Sequence, residues 1–180
     1  MGTVPPDLAY LEGEDLNAYN FAAHVCQCFA DDNRWNIAMT IIHGLQLSFV
    51  DFFTTRHNYF DIHSGIIRKG AVRAEKDEQL IIPLNMRDGS LICRGKGNED
   101  WLCSAPHGAG RLMSRNRAKE TLSMDEYRQQ MHDIYSTSVC ESTIDEAPMA
   151  YKSAEEIEEL IGDTVDVVKR IKPIYNFKAK

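Results

Sequence analysis

A histidine set among glycines and arginines stands out in residues 103–115, which read Cys-Ser-Ala-Pro-His-Gly-Ala-Gly-Arg-Leu-Met-Ser-Arg. The side chain of His107 can act as a nucleophile or carry a proton. Gly108 and Gly110 allow the backbone to approach a phosphate closely, and Arg111 can bind phosphate oxygens with its planar guanidinium. The same residues also suit a polar turn before a helix, with His107 merely exposed. The rest of the chain must decide between phosphate chemistry and a turn.

Three more polar clusters lie in otherwise apolar surroundings. They are His57-Asn58, Arg68-Lys69-Gly70, and the pair of Tyr151 and Lys178. A single histidine is a weak signal for a metal site, because a site needs further ligands and the spacing of this chain supplies no obvious set. Lys178 suits a surface position, or it can close over a ligand if the aromatic tail holds it still. From the residues alone we predict a phosphate- or nucleotide-handling domain.

The elements that must position these side chains indicate an α+β fold, with a mixed β-sheet core flanked by helices. Apolar residues at helical spacing predict one long N-terminal helix from about Asp15 to about Phe49, with Asp15 as its N-cap. Aromatic and β-branched runs predict strands within 52–59, 65–74, 79–83, 90–93 and 164–171. Residues 1–14 are expected to be an irregular lead-in, and residues 1–180 to form a single domain.

Two capping-box patterns predict further helices. Ser123 precedes a helix that runs to about Tyr135, and Ser153 precedes a second one. The segment between these helices, 142–152, is expected to be a polar loop.

Composition limits the classes of protein that this chain can belong to. Its net charge of −7 argues against a protein that coats nucleic acid through bulk charge, but it leaves room for a local basic groove. No apolar run approaches the roughly 20 residues needed to cross a bilayer, so we expect no membrane association. The odd number of cysteines, 5, without a secretory pattern, predicts reduced thiols and a cytoplasmic location.

The order of several motifs resembles a known family. The matching motifs are His-Asn-Tyr at 57–59, Arg-Lys-Gly-Ala at 68–71, Ile-Ile-Pro at 81–83, Gly-Lys-Gly-Asn at 95–98, Ser-Ala-Pro-His-Gly-Ala-Gly-Arg at 104–111, Glu-Ala-Pro-Met-Ala-Tyr-Lys at 146–152, and an ending with Lys-Pro at 172–173 and Lys-Ala at 178–179. Together they resemble the C-terminal half of the RtcB RNA-splicing ligases.

This resemblance implies a GTP- and Mn²⁺-dependent ligase. Such an enzyme joins an RNA 3′-phosphate or 2′,3′-cyclic phosphate end to a 5′-hydroxyl end through a histidine-GMP intermediate. His107 occupies the place of the histidine that attacks the α-phosphate of GTP. RNA and GTP are therefore the expected partners.

The resemblance also suggests roles for other residues. His57 matches a manganese ligand, Tyr151 and Lys178 match residues of a guanine pocket, and Ser90 matches a serine that contacts the nucleotide. We add Arg111 and Asn58 as neighbours of a phosphate or metal. Gly108 and Gly110 are expected beside the nucleotide.

Two departures from the family pattern shape the expectation. Many members have Pro-Gly-Ser-Met-Gly where this chain has Pro-Leu-Asn-Met-Arg at 83–87. Family enzymes are also about twice as long, and their N-terminal half supplies most metal ligands. We therefore expect this chain to be an incomplete part of the enzyme, inactive alone, with an N-terminal half supplied by a longer chain or in trans. The alternative is a non-catalytic nucleotide- or RNA-end-binding module left after loss of the metal-binding half.

Overall fold

The computed structural model of the protein describes residues 9–178. Most of the predicted N-terminal lead-in and the alanine at 179 lie outside these residues. The chain forms two compact units: unit 1 comprises Met1–Phe52 and Tyr59–Arg68, and unit 2 comprises Phe53–Asn58 and Lys69–Lys180. The single domain expected from the sequence stays a prediction, and the two units are described separately. Within residues 9–178, no helix has the length and apolar character that a membrane crossing requires.

Unit 1 contains the long N-terminal helix, which confirms that prediction. Helix α1 spans Gly13–Gly44, with Glu12 as its N-cap. Asp15 lies in the first turn, so its assignment as the N-cap was wrong. The helix ends earlier than expected because Gln46 adopts a positive φ of 53°, which an α-helix cannot continue. None of the residues of α1 is buried, so this helix exposes much apolar surface within its unit.

Polar groups hold the segment of unit 1 that connects two strands. Strand β1 spans His57–Asp61 and strand β2 spans Ile66–Arg73. Arg68 and Asp61 are 3% and 7% exposed, and an ion pair of 3.7 Å joins them. The Asp61 carboxylate also accepts a hydrogen bond of 3.1 Å from the His63 amide at the turn. Because the two opposite charges lie next to each other, both side chains can be buried.

Unit 2 is built on small sheets, and the α+β class is confirmed. Strands β3 (Gln79–Pro83), β4 (Ser90–Gly95) and β7 (Val165–Ile171) form an antiparallel sheet in the order β3-β4-β7. Strand β5 (Ser104–Pro106) pairs antiparallel with the second half of β2, in a sheet of order β1-β2-β5. The short strands β6 (Tyr135–Ser136) and β8 (Tyr175–Asn176) pair in parallel. Within residues 9–178 the expected β core consists of three small sheets.

Three short helices of unit 2 begin at serine caps. They are α2 (Arg115–Thr121), α3 (Met124–Gln130) and α4 (Ala154–Leu160). The hydroxyls of Ser114, Ser123 and Ser153 accept hydrogen bonds from amides of the first turns, which confirms the two caps predicted from capping boxes. Helix α3 ends before the predicted Tyr135, because Tyr135 belongs to β6. The predicted loop contains two 3-10 helices, Glu141–Glu146 and Pro148–Ala150.

The core of unit 2 lies beneath the β3-β4-β7 sheet. Leu80, Ile82 and Leu91 are completely buried, and Leu80 and Ile82 alternate with more exposed neighbours along β3. Ala105 of β5, Ala109 and Ile161 belong to the same cluster. The core therefore supports both the segment around His107 and the end of α4.

Candidate functional site

Two imidazole rings face each other in unit 2. The rings of His57, at the start of β1, and His107, just after β5, are stacked with centroids 5.4 Å apart and planes 3° apart. His57 is exposed, whereas His107 is half-buried. The chain thus brings together two histidines that are 50 positions apart in the sequence.

Backbone contacts at Gly70 hold this histidine pair. The Asn58 side-chain oxygen accepts a hydrogen bond of 2.6 Å from the Gly70 amide, and the Gly70 carbonyl accepts one of 3.4 Å from the His107 amide. Gly70 has a φ of 71°, and a Cβ added there would lie 3.7 Å from Cδ2 of His107. A glycine at this position therefore permits the turn in β2 without a side chain against the imidazole. Asn58 acts in the structure as a backbone support for the site.

Burial affects the protonation of His107. Burial, and secondarily the charge of the neighbouring His57, hold the pKa of His107 below its ordinary value. The imidazole is consequently neutral at neutral pH, with a lone pair on one ring nitrogen. A neutral imidazole is the form that can act as a nucleophile.

The glycines after His107 lie against the end of β3. The Ala109 amide donates a hydrogen bond of 3.1 Å to the Pro83 carbonyl, and a Cβ on Gly108 would meet that carbonyl oxygen at 3.2 Å. Gly110 has a φ of 72° and open space around its Cα. Ser90, the first residue of β4, is opposite Pro83 in the strand register. Among residues 9–178, no side-chain hydrogen bond joins Ser90 to the histidines.

A second polar group, which we call the arginine cluster, comprises Arg111, Glu146, Tyr151 and Lys178. Nη1 of Arg111 donates to the Tyr151 hydroxyl at 3.0 Å and lies 3.5 Å from Oε1 of Glu146. Oε2 of Glu146 accepts from the Tyr151 hydroxyl at 2.8 Å and from Nζ of Lys178 at 3.3 Å. Glu146 thus links Arg111, Tyr151 and Lys178, which are three of the residues that the sequence assigned to the nucleotide.

Three contacts that involve backbone atoms hold Arg111, Tyr151 and Lys178 in place. Arg111 and Tyr151 form an antiparallel β-bridge, and Nη2 of Arg111 donates to the carbonyl of Asp145. The Lys178 amide donates a hydrogen bond of 2.9 Å to the hydroxyl of Ser138, which is 1% exposed. The buried Ser138, in addition to the β6-β8 pairing, therefore holds Lys178 in place.

The electrostatics of the arginine cluster stabilise a charged carboxylate and a neutral phenol. Burial alone would raise the pKa of Glu146, but the Tyr151 hydrogen bond and the charges of Lys178 and Arg111 lower it below its ordinary value. Burial, together with the negative charge of Glu146, raises the pKa of Tyr151 to about 12. Tyr151 therefore remains a hydrogen-bond donor throughout the physiological range.

Basic side chains extend the arginine cluster along α2. Arg115 lies 3.4 Å from Glu146 and 3.8 Å from Asp145, and Lys119 lies 3.9 Å from Asp145. The side chains of Arg115 and Lys119 are 71% and 53% exposed. Residues 103–119 contain no acidic side chain, although the chain carries a net charge of −7. A local basic surface thus exists on an acidic protein.

The divergent segment 83–87 is closed by its own hydrogen bonds. The Asn85 side-chain oxygen accepts from the amides of Arg87 and Asp88, and its amide group donates to Asp88 at 2.8 Å. The Arg87 guanidinium binds both carboxylate oxygens of Asp88 at 2.9 Å. The charge that Arg87 introduces is therefore neutralised within the turn.

The described residues do not form a complete metal site. Within residues 9–178, no group of three or more histidine, cysteine, aspartate or glutamate side chains could hold an ion. His57 and His107 form only a pair, and divalent metals need more ligands than this pair supplies. These residues alone do not fit a bound Mn²⁺.

Sequence reasoning missed Glu146, the residue at the centre of the arginine cluster. The only sequence signal was its place at the start of the motif Glu-Ala-Pro-Met-Ala-Tyr-Lys, which also contains Tyr151. The structure brings His57 and His107 together in one group, and Arg111, Tyr151 and Lys178 in another. The roles assigned to these residues stay predictions.

Comparison with known proteins identifies the relatives of this chain. The family model described as tRNA-splicing ligase RtcB matches residues 4–179. The RNA-splicing ligase RtcB of Escherichia coli K12 is 34% identical over 187 residues, which cover 93% of this chain and 46% of that protein. The tRNA-splicing ligase RtcB of Aeropyrum pernix is 29% identical, over 96% of this chain and 45% of that protein.

The matches cover most of this chain but only part of each relative. This chain spans about half the length of the curated relatives that it matches. The family model covers nearly the whole chain, including the two histidines and the arginine cluster. The chain therefore belongs to the RtcB family of tRNA-splicing ligases.

Proposed function

We propose that this chain provides the nucleotide-accepting part of an RNA ligase that joins 3′-phosphate or 2′,3′-cyclic phosphate ends to 5′-hydroxyl ends. The observation that carries the proposal is the stacking of His57 and His107 at 5.4 Å, beside the glycine-rich segment. The names of its relatives, RNA-splicing and tRNA-splicing ligases, support RNA as the substrate. The cytoplasmic location stays a prediction.

His107 is the proposed nucleophile of the first step. A ring nitrogen attacks the α-phosphorus of GTP, a P–N bond forms, and the bond to the departing pyrophosphate breaks. The GMP group then passes to the RNA 3′-phosphate, from which the 5′-hydroxyl displaces GMP as the new phosphodiester forms. The lowered pKa of His107 supports this role, because it keeps the attacking nitrogen unprotonated.

The arginine cluster is the proposed site for the nucleotide. Arg111, Tyr151 and Lys178 present hydrogen-bond donors around one carboxylate, Glu146. Their fixed arrangement supports binding of a polar base or phosphate, because donors already held in place lose little entropy on binding. Ser90, Gly108 and Gly110 are proposed to line the path of the phosphates.

Exposed basic side chains of α2 are the proposed contacts for the RNA backbone. Arg115 and Lys119 lie next to Asp145 and Glu146, yet both remain largely exposed. Phosphate contacts of this kind supply affinity without reading sequence.

Manganese is proposed to bind through His57 and ligands outside this chain. A bound Mn²⁺ would neutralise charge on the triphosphate. Because the described residues do not hold the ion by themselves, we propose that an N-terminal half, in a longer chain or in trans, supplies the other ligands.

Intact-mass spectrometry tests the proposed nucleophile. This chain would be incubated with GTP and Mn²⁺, alone and with the N-terminal half of the Escherichia coli relative. We expect a mass increase equal to GMP only in the reconstituted sample, mapped to His107 by peptide fragmentation. The His107→Ala variant should lose the adduct, whereas the control His132→Ala should retain it, since the His132 side chain is 72% exposed. Modification of a different residue would refute the assignment.

A non-catalytic nucleotide- or RNA-end-binding module is the second candidate. It is favoured by the contrast between an arginine cluster formed within this chain and the missing metal ligands. This candidate predicts GTP or GMP binding without Mn²⁺ and unchanged binding by His107→Ala. Isothermal titration with and without Mn²⁺ separates the two functions.

A further inference from the structure

A surface cavity in unit 2 lies apart from the arginine cluster. Its volume is about 280 Å³, and its walls come from β2, β5 and the end of α4. The lining includes Gly70, Trp101, Ser104, Pro106, Leu160 and Thr164. The volume is below the roughly 300–1,000 Å³ of sites for drug-sized ligands, so it suits a single large side chain.

The walls of this Trp101 cavity are apolar and partly exposed. Trp101 and Leu160 are 59% and 66% exposed, which is high for residues of this size that border a cavity. The hydroxyls of Ser104 and Thr164 already donate to the carbonyls of Leu102 and Ile161. The cavity therefore offers contact area for an apolar group and few donors for a polar one.

Acidic residues adjoin the exposed lining residues in the sequence. Glu99 and Asp100 immediately precede Trp101, Glu159 precedes Leu160, and Asp163 precedes Thr164. All four are exposed, and the structure pairs none of these carboxylates with a cation among residues 9–178. Two lysines are also close in sequence: Lys96 pairs with Asp166 at 3.2 Å, and the exposed Lys69 precedes Gly70. The four carboxylates outnumber these cations, so the net charge here is negative. This rim repels a phosphate backbone and attracts cationic groups.

We propose that the Trp101 cavity docks a basic segment of a partner protein. An apolar side chain of leucine size enters the cavity and contacts Trp101 and Leu160. Lysine or arginine residues on either side of this anchor face the acidic rim. Anchors of this kind supply most of the affinity of an interface, while charge complementarity sets specificity and the association rate.

The position of the cavity adds a consequence for the histidines. Gly70 lines the cavity and also lies against His107, while Pro106 lines it and directly precedes His107. A docked segment would therefore end next to the imidazole. The docking proposal itself does not depend on ligase activity, because it rests on the shape and charge of the cavity.

Tryptophan fluorescence of the full chain tests the proposal. Because the chain has 2 tryptophans, the variant Trp35→Phe leaves Trp101 as the only indole. The probe is the blocked peptide Lys-Arg-Leu-Arg-Lys, compared with analogues in which Leu is replaced by Gly or the basic residues by Glu. We expect saturable binding with a blue shift for the first peptide, at least about tenfold weaker binding of both analogues, and loss of affinity with added salt.

Variants of the chain locate the binding. Leu160→Ser should weaken binding of the basic peptide by about tenfold. Replacement of the four rim carboxylates by their amides should remove the salt dependence. The control Ile174→Ala, at a residue 93% exposed and outside the cavity lining, should bind as before. Circular dichroism verifies that each variant is folded.

Several results would overturn the docking proposal. They are an absence of peptide binding, equal binding of the glutamate analogue, stronger binding of single-stranded oligouridylate than of the peptide, or a fluorescence shift that depends only on protein concentration. The third result would indicate an RNA site, and the last would indicate a second copy of this chain.

Discussion

The arginine cluster and the Trp101 cavity belong to the same unit but have opposite chemistry. In the arginine cluster, cations surround a carboxylate that is mostly buried, and further basic side chains follow along α2. At the Trp101 cavity, exposed acidic residues adjoin the apolar lining residues in the sequence. The net charge of −7 describes neither region. This difference teaches that the local placement of charge, rather than its sum, distinguishes a phosphate-binding surface from a protein-binding one.

The largest expected loss of stability comes from a substitution in the core that supports both regions. Ile82 is completely buried in the cluster that contains Ala109 and Ile161. Ile82→Ala should lower the free energy of unfolding by about 2–5 kcal/mol, because it leaves a cavity. Chemical denaturation measures the loss, with Ile174→Ala as the exposed control. Equal stability of the two variants would contradict a shared core.

Removal of the Glu146 charge should disturb only the arginine cluster. Glu146→Gln leaves Arg111 and Lys178 without the carboxylate that they pair with. The free energy of unfolding should therefore fall by about 1–3 kcal/mol at neutral pH. Without the negative charge, the pKa of Tyr151 should fall from about 12 toward its ordinary value. Absorbance titration of tyrosine measures this change, and an unchanged phenol pKa would show that Glu146 does not control Tyr151.

The lowered pKa of Glu146 predicts that the stability contributed by its carboxylate depends on pH. The folded-state pKa of Glu146 lies below its ordinary value of 4.5, so its carboxylate stabilises the fold above pH 4.5. That contribution disappears as the pH falls through the lower, folded-state pKa. Denaturation curves of the wild type and Glu146→Gln should therefore converge in acid. A stability difference that grows as pH falls would mean that the shift has the opposite sign.

A smaller loss of stability is expected at Gly70, which lines the Trp101 cavity and lies against His107. Gly70→Ala places a side chain at a φ of 71°, which should cost about 1–2 kcal/mol. The new methyl group lies 3.7 Å from His107, an ordinary contact distance, so backbone strain and not a clash is the cause. Thermal unfolding measures the cost. Gly110→Ala is a matched control, with a φ of 72° and open space around it, and should lose a similar amount.

The smallest effect on stability is expected at Trp101. Because its side chain is 59% exposed, Trp101→Ala should change the free energy of unfolding by no more than about 0.5 kcal/mol. GMP transfer to His107 in the reconstituted protein should also persist. A large loss of stability would show that Trp101 serves the core instead of a binding surface.

Some features of the fold follow from short stretches of sequence. Ser123 and Ser153 were recognised as helix caps because a serine hydroxyl reaches amides only two or three residues away. Strand β3 is predictable because an apolar, β-branched run follows a polar turn and ends at Pro83. The helix end at Gly44 was less accurate, because nothing in the residue type of Gln46 signals its positive φ.

Other features could not be predicted from local sequence. Residues 104–106 suited a turn, yet they form β5, because β2 supplies a partner strand more than 30 positions away. Glu146 is an ordinary acidic residue in sequence, and its importance appears only when Lys178, 32 positions later, comes within 3.3 Å. The Trp101 cavity likewise needs walls from three separate segments.

The order of residues alone was sufficient to indicate the family, to predict the caps at Ser123 and Ser153, and to single out His107 as the candidate reactive histidine. Motifs and caps are short-range patterns, so the order of residues is sufficient to reveal them. Only the folded structure shows that Glu146 links the arginine cluster and that segments from β2, β5 and the end of α4 together line an apolar cavity. These properties depend on distances between residues far apart in the chain, and packing of the whole unit sets those distances.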